Sequence, residues 1–281
     1  MASLECKGKN LEKDKHAMNQ TDNVLFEIDK RGVATVTLNQ PDIHNAFDDK
    51  LIVQLTDIFS SIDHNEDIRV MVLASAGKSF SAGADLNWMR RMATYSYEQN
   101  LADANALAKM FNTLNNLNKP TIARVQGATF GGAVGLVACC DMAIASKLSR
   151  FCLSEVKLGL IPATISPYVI DAIGAKMARR YFTTAEVFSA RRARRLGLLS
   201  EAVVEEELDS SIEHLIEHLL KNSPAAIREA KQLIFDIQNK PVSNDLLATT
   251  SQKIAKIRVS EQGQEGLNAF LQKRHANWVK Q

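Results

Sequence analysis

Apolar and polar residues alternate over positions 24–29 and again over 33–38, with Lys30, Arg31 and Gly32 between them, which predicts a β-hairpin. The period then changes. Leu51, Leu55, Ile58, Phe59 and Ile62 recur at the spacing of an amphipathic helix over 47–62. A short, wholly apolar run at 70–74 reads as a buried strand, and a long helix follows over 98–117, with Leu101, Ala104, Leu107, Ala108, Phe111 and Leu114 on one face. Pro120 ends that segment and opens a strand at 121–125; further strand-like runs lie at 142–145 and 151–153. From about residue 208 the signals turn almost wholly helical. Ser223 and Pro224 supply an N-cap and a first-turn proline for a helix over 225–236, and two more follow over 246–256 and 262–273. Breaks at 239–241 and at Gly263 and Gly266 separate these helices. The pattern predicts an α/β core over 18–207, a helical region over 208–281 and a disordered leader over 1–17.

Composition narrows the function classes. The 281 residues are 46% hydrophobic, enough for a full core, and the formal charge of +2 argues against a general polyanion binder. No apolar run is long enough to span a membrane. Residues 1–17 combine Lys with Glu5, Glu12 and Asp14, and lack both a signal peptide's apolar stretch and a transit peptide's acid-poor character. Cys6, Cys139, Cys140 and Cys152 have no metal-ligand spacing; reduced, buried thiols and a cytoplasmic location are expected. The run Arg191, Arg192, Arg194, Arg195 is the one patch that suggests nucleic acid. Without aromatic residues nearby for base stacking, it reads as a solvated helix face or a single phosphate contact.

Two glycine-bearing turns carry the chemistry: Ser79-Phe-Ser-Ala-Gly-Ala-Asp85-Leu86 after the strand at 70–74, and Gln126-Gly-Ala-Thr-Phe-Gly131-Gly-Ala-Val-Gly135 after that at 121–125. Glycine lets the backbone turn sharply and approach a ligand closely. Two such turns can aim two peptide N–H groups at one oxygen, the arrangement that stabilises an enolate or a tetrahedral oxyanion.

In order along the chain stand Pro41-Asp-Ile-His44-Asn45-Ala46-Phe, the two turns, Cys140-Asp141, Phe151-Cys-Leu-Ser-Glu155-Val-Lys-Leu-Gly159-Leu-Ile-Pro162, Ala193-Arg-Arg-Leu-Gly197 and Ala269-Phe270-Leu-Gln-Lys273. This ordered set resembles the crotonase (enoyl-CoA hydratase/isomerase) superfamily. The resemblance implies an α/β spiral of stacked ββα turns with a C-terminal helical trimerisation region, assembled as a homotrimer or a dimer of trimers. It implies an acyl-CoA substrate, with coenzyme A entering as part of that substrate and neither a permanently bound cofactor nor a metal. It places the oxyanion N–H groups at Ala84 and Gly132, and the proton-transferring carboxylate at Glu155. A bulky side chain at Gly132 is expected to crowd the thioester oxygen. His44, Asn45, Ala46, Ala82, Asp85, Leu86, Phe130, Gly131, Gly135 and Pro162 are expected along the substrate and CoA path, and Phe270 and Lys273 at a neighbouring subunit's CoA.

One departure matters. Hydratases of this superfamily usually carry a further glutamate three residues beyond the oxyanion glycine, where this chain has Gly135. The single-glutamate Δ3,Δ2-enoyl-CoA isomerases share that feature. Asp141 is expected to be structural. The stretches around Trp88-Met-Arg90-Arg91 and Ile161–Tyr168 resemble the branch of methylglutaconyl-CoA hydratases, and also isohexenylglutaconyl-CoA hydratases, whose substrates carry a second carboxylate. Arg90 and Arg91 are expected to meet it with forked hydrogen bonds. The leading expectation is hydration of 3-methylglutaconyl-CoA to 3-hydroxy-3-methylglutaryl-CoA in leucine breakdown. An isomerase, a general enoyl-CoA hydratase, and an RNA-binding or assembly protein with a vestigial site are the alternatives. Glutamate introduced at Gly135 is expected to improve hydration of crotonyl-CoA.

Overall fold

The computed structural model describes residues 23–279; the leader expected at 1–17 and Cys6 lie outside them. The hairpin forms as the alternation requires: β1 (Val24–Ile28) and β2 (Val33–Leu38) pair antiparallel across a turn in which Gly32 has a φ of 85°. Four further strands extend this sheet in parallel: β3 (Val70–Ser75), β4 (Thr121–Val125), β6 (Met142–Ser146) and β9 (Glu201–Val203), in the order β1-β2-β3-β4-β6-β9. All six residues of β3 are buried because the sheet is covered on both faces. Met71 and Leu73 join the main core, while Val70 and Val72 turn the opposite way towards α8 (Leu208–Leu220) and its Leu208, Ile212 and Ile216.

A smaller sheet is laid down by the same turns of chain. After β3 the chain passes Ser81, after β4 it makes β5 (Ala128–Phe130), and after β6 it makes β7 (Arg150–Cys152). Ser81 bridges to Thr129, and Thr129 pairs with Phe151, so three successive turns stack in parallel register. The short β8 (Phe188–Ser189) closes this sheet antiparallel to β7. Gly127 forms one corner with a φ of 64°, where even a methyl group would lie 1.8 Å from the Lys78 carbonyl oxygen. This is a spiral of stacked turns.

Helices fill the outside. The first, α1 (Asp49–His64), is capped by the Asp48 side chain, so Phe47 falls outside the helix expected to include it and instead bridges to Ala84. Next come α2 (Leu86–Met92) and α3 (Tyr97–Asn115); a capping box between Ser96 and Gln99 starts α3. The apolar α4 (Gly132–Cys139) lies in the core, followed by α5 (Ser166–Ile173), α6 (Ala175–Thr184) and α7 (Ala190–Leu196). On α7 the basic run is a solvated face, with Arg192 turned back to the Tyr181 hydroxyl at 3.1 Å.

The helical region expected from 208 begins with α8, which is packed on the sheet; the change of character comes after it. In α9 (Pro224–Ile237) and α10 (Asn244–Val259) no residue is fully buried, and in α11 (Glu261–Leu271) only Ala269 is. A polar junction ties α9 to the spiral: Lys231 Nζ meets Asp141 Oδ2 at 2.9 Å, and the same oxygen accepts from the Thr121 amide at 2.8 Å and hydroxyl at 3.0 Å. Asp141 is therefore structural. Among the described residues no helix is long and apolar enough to cross a membrane.

Candidate active site

The first turn is held on both sides. Ser81 N–H donates to Ala128 O at 3.1 Å, and Ser81 O accepts from Phe130 N–H at 3.0 Å. Two residues on, Phe47 N–H donates to Gly83 O and Asp85 N–H to Phe47 O, both at 2.7 Å. Pairing through Gly83 and Asp85 directs the amide between them, on Ala84, to the other edge of this extended segment. No acceptor for the Ala84 N–H exists among the described residues. Asp85 then caps α2, accepting from Asn87 and Trp88 N–H at 2.8 and 2.9 Å.

The second turn lies beside the first, since a methyl group on Gly83 would come 3.5 Å from Phe130 O. Gly131 ends β5 with φ 55° and ψ −125°, a conformation open to glycine, and donates its N–H to Cys152 O at 2.8 Å. Gly132 is the first residue of α4, where amides lack helical partners, and its N–H also has no acceptor among the described residues. A methyl group on Gly132 would stand at an ordinary contact distance of 3.7 Å from Phe111 Cζ and Phe47 Cε2. What Gly132 offers is the amide at the positive end of a helix.

Glu155 reaches this place from β7, the strand paired with β5. It opens a 3-10 turn over Glu155–Leu158, closed by Gly159 at a φ of 73°. Its Oε1 lies 3.5 Å from where a methyl group on Gly131 would stand, and its Oε2 is buried without a hydrogen-bond partner. Burial disfavours the charged form and lifts the carboxyl above its ordinary value, while the residue's own backbone N–H pulls weakly the other way. A carboxyl of raised pKa with one oxygen unpartnered, beside two free amides, suits proton transfer at a carbon next to a carbonyl.

Gly135 requires a correction. It was expected to line the substrate path and to accept a glutamate, but a methyl group there would stand 2.2 Å from Ile165 Cγ2 and 3.0 Å from Phe111 Cε1. The position is filled by two core side chains.

The remaining expected residues divide. Ala82, Ala84 and Leu86 are exposed on alternate positions of the first turn, and His44, at a φ of 53°, is exposed beside it with Nδ1 3.1 Å from Ser79 Oγ. Phe130 is half-buried. Asn45 is corrected: at 1% exposure it gives Nδ2–H bonds to Ala76 O and Ser79 O, both at 2.9 Å, and accepts the Gln40 amide at 2.8 Å. It therefore holds loops together and offers no surface to a ligand. Ala46 and Pro162 are likewise buried.

Arg91 is already bound to Asp49 Oδ1 at 2.6 Å, whereas Arg90 makes a 2.7 Å bond to the neutral Asn87 side chain. Phe270 is 81% exposed on α11, and Lys273 lies just past that helix at a φ of 53°. Three features carried no local signal in the sequence. These are Ile165 against Gly135, Tyr168 facing Phe111 at 6.3 Å between ring centres, and Trp88 Nε1 donating to Asp103 Oδ1 at 3.2 Å, which pins α2 to α3. Three free thiols are described, and burial pushes that of Cys140 up to about 12.

A spiral that brings two unpartnered amides and one half-buried carboxyl together defines an enzyme of the crotonase fold. The chain belongs to the enoyl-CoA hydratase/isomerase family, which it matches over residues 29–281. A solved enoyl-CoA hydratase from Shewanella pealeana is 47% identical, with a TM-score of 0.89 over 92% of this chain and 97% of that one. A short-chain-enoyl-CoA hydratase of Clostridium acetobutylicum is 30% identical over 91% of this chain and 97% of its own length. A 2,3-dehydroadipyl-CoA hydratase of Escherichia coli is 30% identical over 86% and 93%.

Proposed function

We propose that the enzyme adds water to the double bond of an enoyl-CoA thioester, with 3-methylglutaconyl-CoA, of leucine breakdown, as the substrate to test first. The observation that carries the reading is the pair of unpartnered amides on Ala84 and Gly132 beside the Glu155 carboxyl, whose Oε2 has no partner. The amides hold the thioester oxygen as negative charge develops, and Glu155 moves the proton at the adjacent carbon. A distal carboxylate on the acyl group is supported by Arg90, whose guanidinium bonds only a neutral amide among the described residues, and by the similarity to the 2,3-dehydroadipyl-CoA hydratase. Arg91 serves less well, being bound to Asp49.

Isomerisation of a Δ3 to a Δ2 double bond is the second reading, favoured by the filled space at Gly135, since it needs one carboxylate. Exposed apolar side chains beyond α8, among them Val242, Val259, Phe270 and Leu271, support assembly into trimers in which Phe270 and Lys273 reach a neighbour's CoA. Reduced thiols fit a cytoplasmic setting. An acyl-CoA panel assayed for both hydration and double-bond shift tests the reading. Hydration of methylglutaconyl-CoA well above that of crotonyl-CoA is expected. Equal rates remove the role of the distal carboxylate, and a double-bond shift without hydration replaces the first reading by the second.

A further inference from the structure

Gly132 and Gly135 stand one turn apart on α4 and open onto one face, because methyl groups on them would approach the same Phe111 ring, at 3.7 and 3.0 Å. The space in front of Gly135 is therefore the next level along the helix from the oxyanion amide. Ile165 occupies it from the loop before α5. Its Cγ2 and Cβ would stand 2.2 and 2.8 Å from a methyl group at position 135. Rotation about χ1 relieves only the first contact, since Cβ does not move with it, and a β-branched side chain is stiff at that bond. The backbone is fixed as well: Ile165 O accepts from Val169 N–H at 3.0 Å, and the residue is 2% exposed.

We propose that Ile165 is a specificity-determining residue. It restricts position 135 to glycine and keeps this face of α4 apolar, so that no second carboxylate stands one turn from the oxyanion amide. The enzyme then adds water slowly to a plain enoyl group and depends on acyl groups that supply a polar group of their own. This rests on the enolate reading above.

The test separates packing from chemistry. Gly135→Ala, ordinarily favourable inside a helix, is expected to lower the thermal midpoint, and Ile165→Ala in the same chain to relieve that loss, so that the two changes are not additive. Gly135→Glu with Ile165→Ala is expected to fold and to hydrate crotonyl-CoA about 10²-fold faster than the parent, the lower end of what a positioned general base supplies. Additive midpoints, or a Gly135→Ala protein that melts with the parent, overturn the collision. A folded Gly135→Glu/Ile165→Ala protein without gain on crotonyl-CoA overturns the specificity role. Failure of the enolate reading looks different: the parent turns over no acyl-CoA thioester, whatever the midpoints, and the specificity role falls with it.

Discussion

Proline at position 132 removes one unpartnered amide, the oxyanion donor of the proposed mechanism, and little else. Gly132 is the first residue of α4, a position where proline is accepted because its φ suits the helix and no helical bond needs the amide. The amide has no acceptor among the described residues, so none is orphaned. The proline Cβ would meet Phe111 and Phe47 at an ordinary 3.7 Å. Gly131 precedes it at φ 55°, ψ −125°, the mirror image of extended backbone, which keeps a following ring free of the clash a helical residue would make. What changes is the group aimed at the substrate oxygen: a methylene replaces an N–H. Loss of one such donor costs about 2.7–4 kcal/mol, or about 10²–10³ in kcat. Gly132→Ala is the control, with the same Cβ and the amide retained. Turnover is followed by loss of the conjugated thioester absorbance, and folding by circular dichroism. A Gly132→Pro protein with native melting and parental kcat would refute the assignment of this amide.

Glu155→Gln is expected to lower kcat by about 10²–10⁴ while acyl-CoA affinity changes little. Because burial raises the Glu155 carboxyl above 4.5, the folded state holds its proton more tightly than the unfolded chain does. Its contribution to stability is present at pH below 4.5 and is lost as pH climbs through the raised value. Glu155→Gln should therefore raise the thermal midpoint at neutral pH and flatten its pH dependence in that window; a lower midpoint at pH 7 would contradict the desolvation argument. Asn45→Ala strands two loop carbonyls and the Gln40 amide, and a loss of about 3 kcal/mol is expected in denaturant titration. A parental midpoint would mean that these bonds do not hold the loops.

Much of the spiral was legible because its elements announce themselves locally. The alternation at 24–38, the apolar run at 70–74 and the proline at 120 mark strands found within a residue or two of their expected bounds. Helix ends followed side chains that periodicity ignores: Asp48 caps α1 and frees Phe47 to brace the turn at Ala84, and α11 stops at Leu271, leaving Lys273 outside it. The two glycine turns were legible as sharp corners because only glycine adopts the backbone found at Gly83 and Gly131 without strain. The filling of Gly135 was not, since Ile165 lies thirty residues away in a loop with no pattern to place it. The same holds for Arg91, claimed by Asp49 from another helix. Local patterns name the groups present; only the packed chain says which are already engaged.

The two free amides belong to the main chain, and that has a consequence for how such a chain changes over generations. A donor carried by a side chain is lost by almost any replacement, whereas a peptide N–H survives every replacement except proline. Ala84 can drift in identity while its hydrogen stays aimed, provided that the register set by Phe47 and Ser81 holds. On the proposed mechanism, selection on the acyl group plays out on side chains such as Ile165 and Arg90, around main-chain donors that substitution hardly reaches. A lineage with this plan can exchange one thioester reaction for another without first dismantling the device that makes any of them fast.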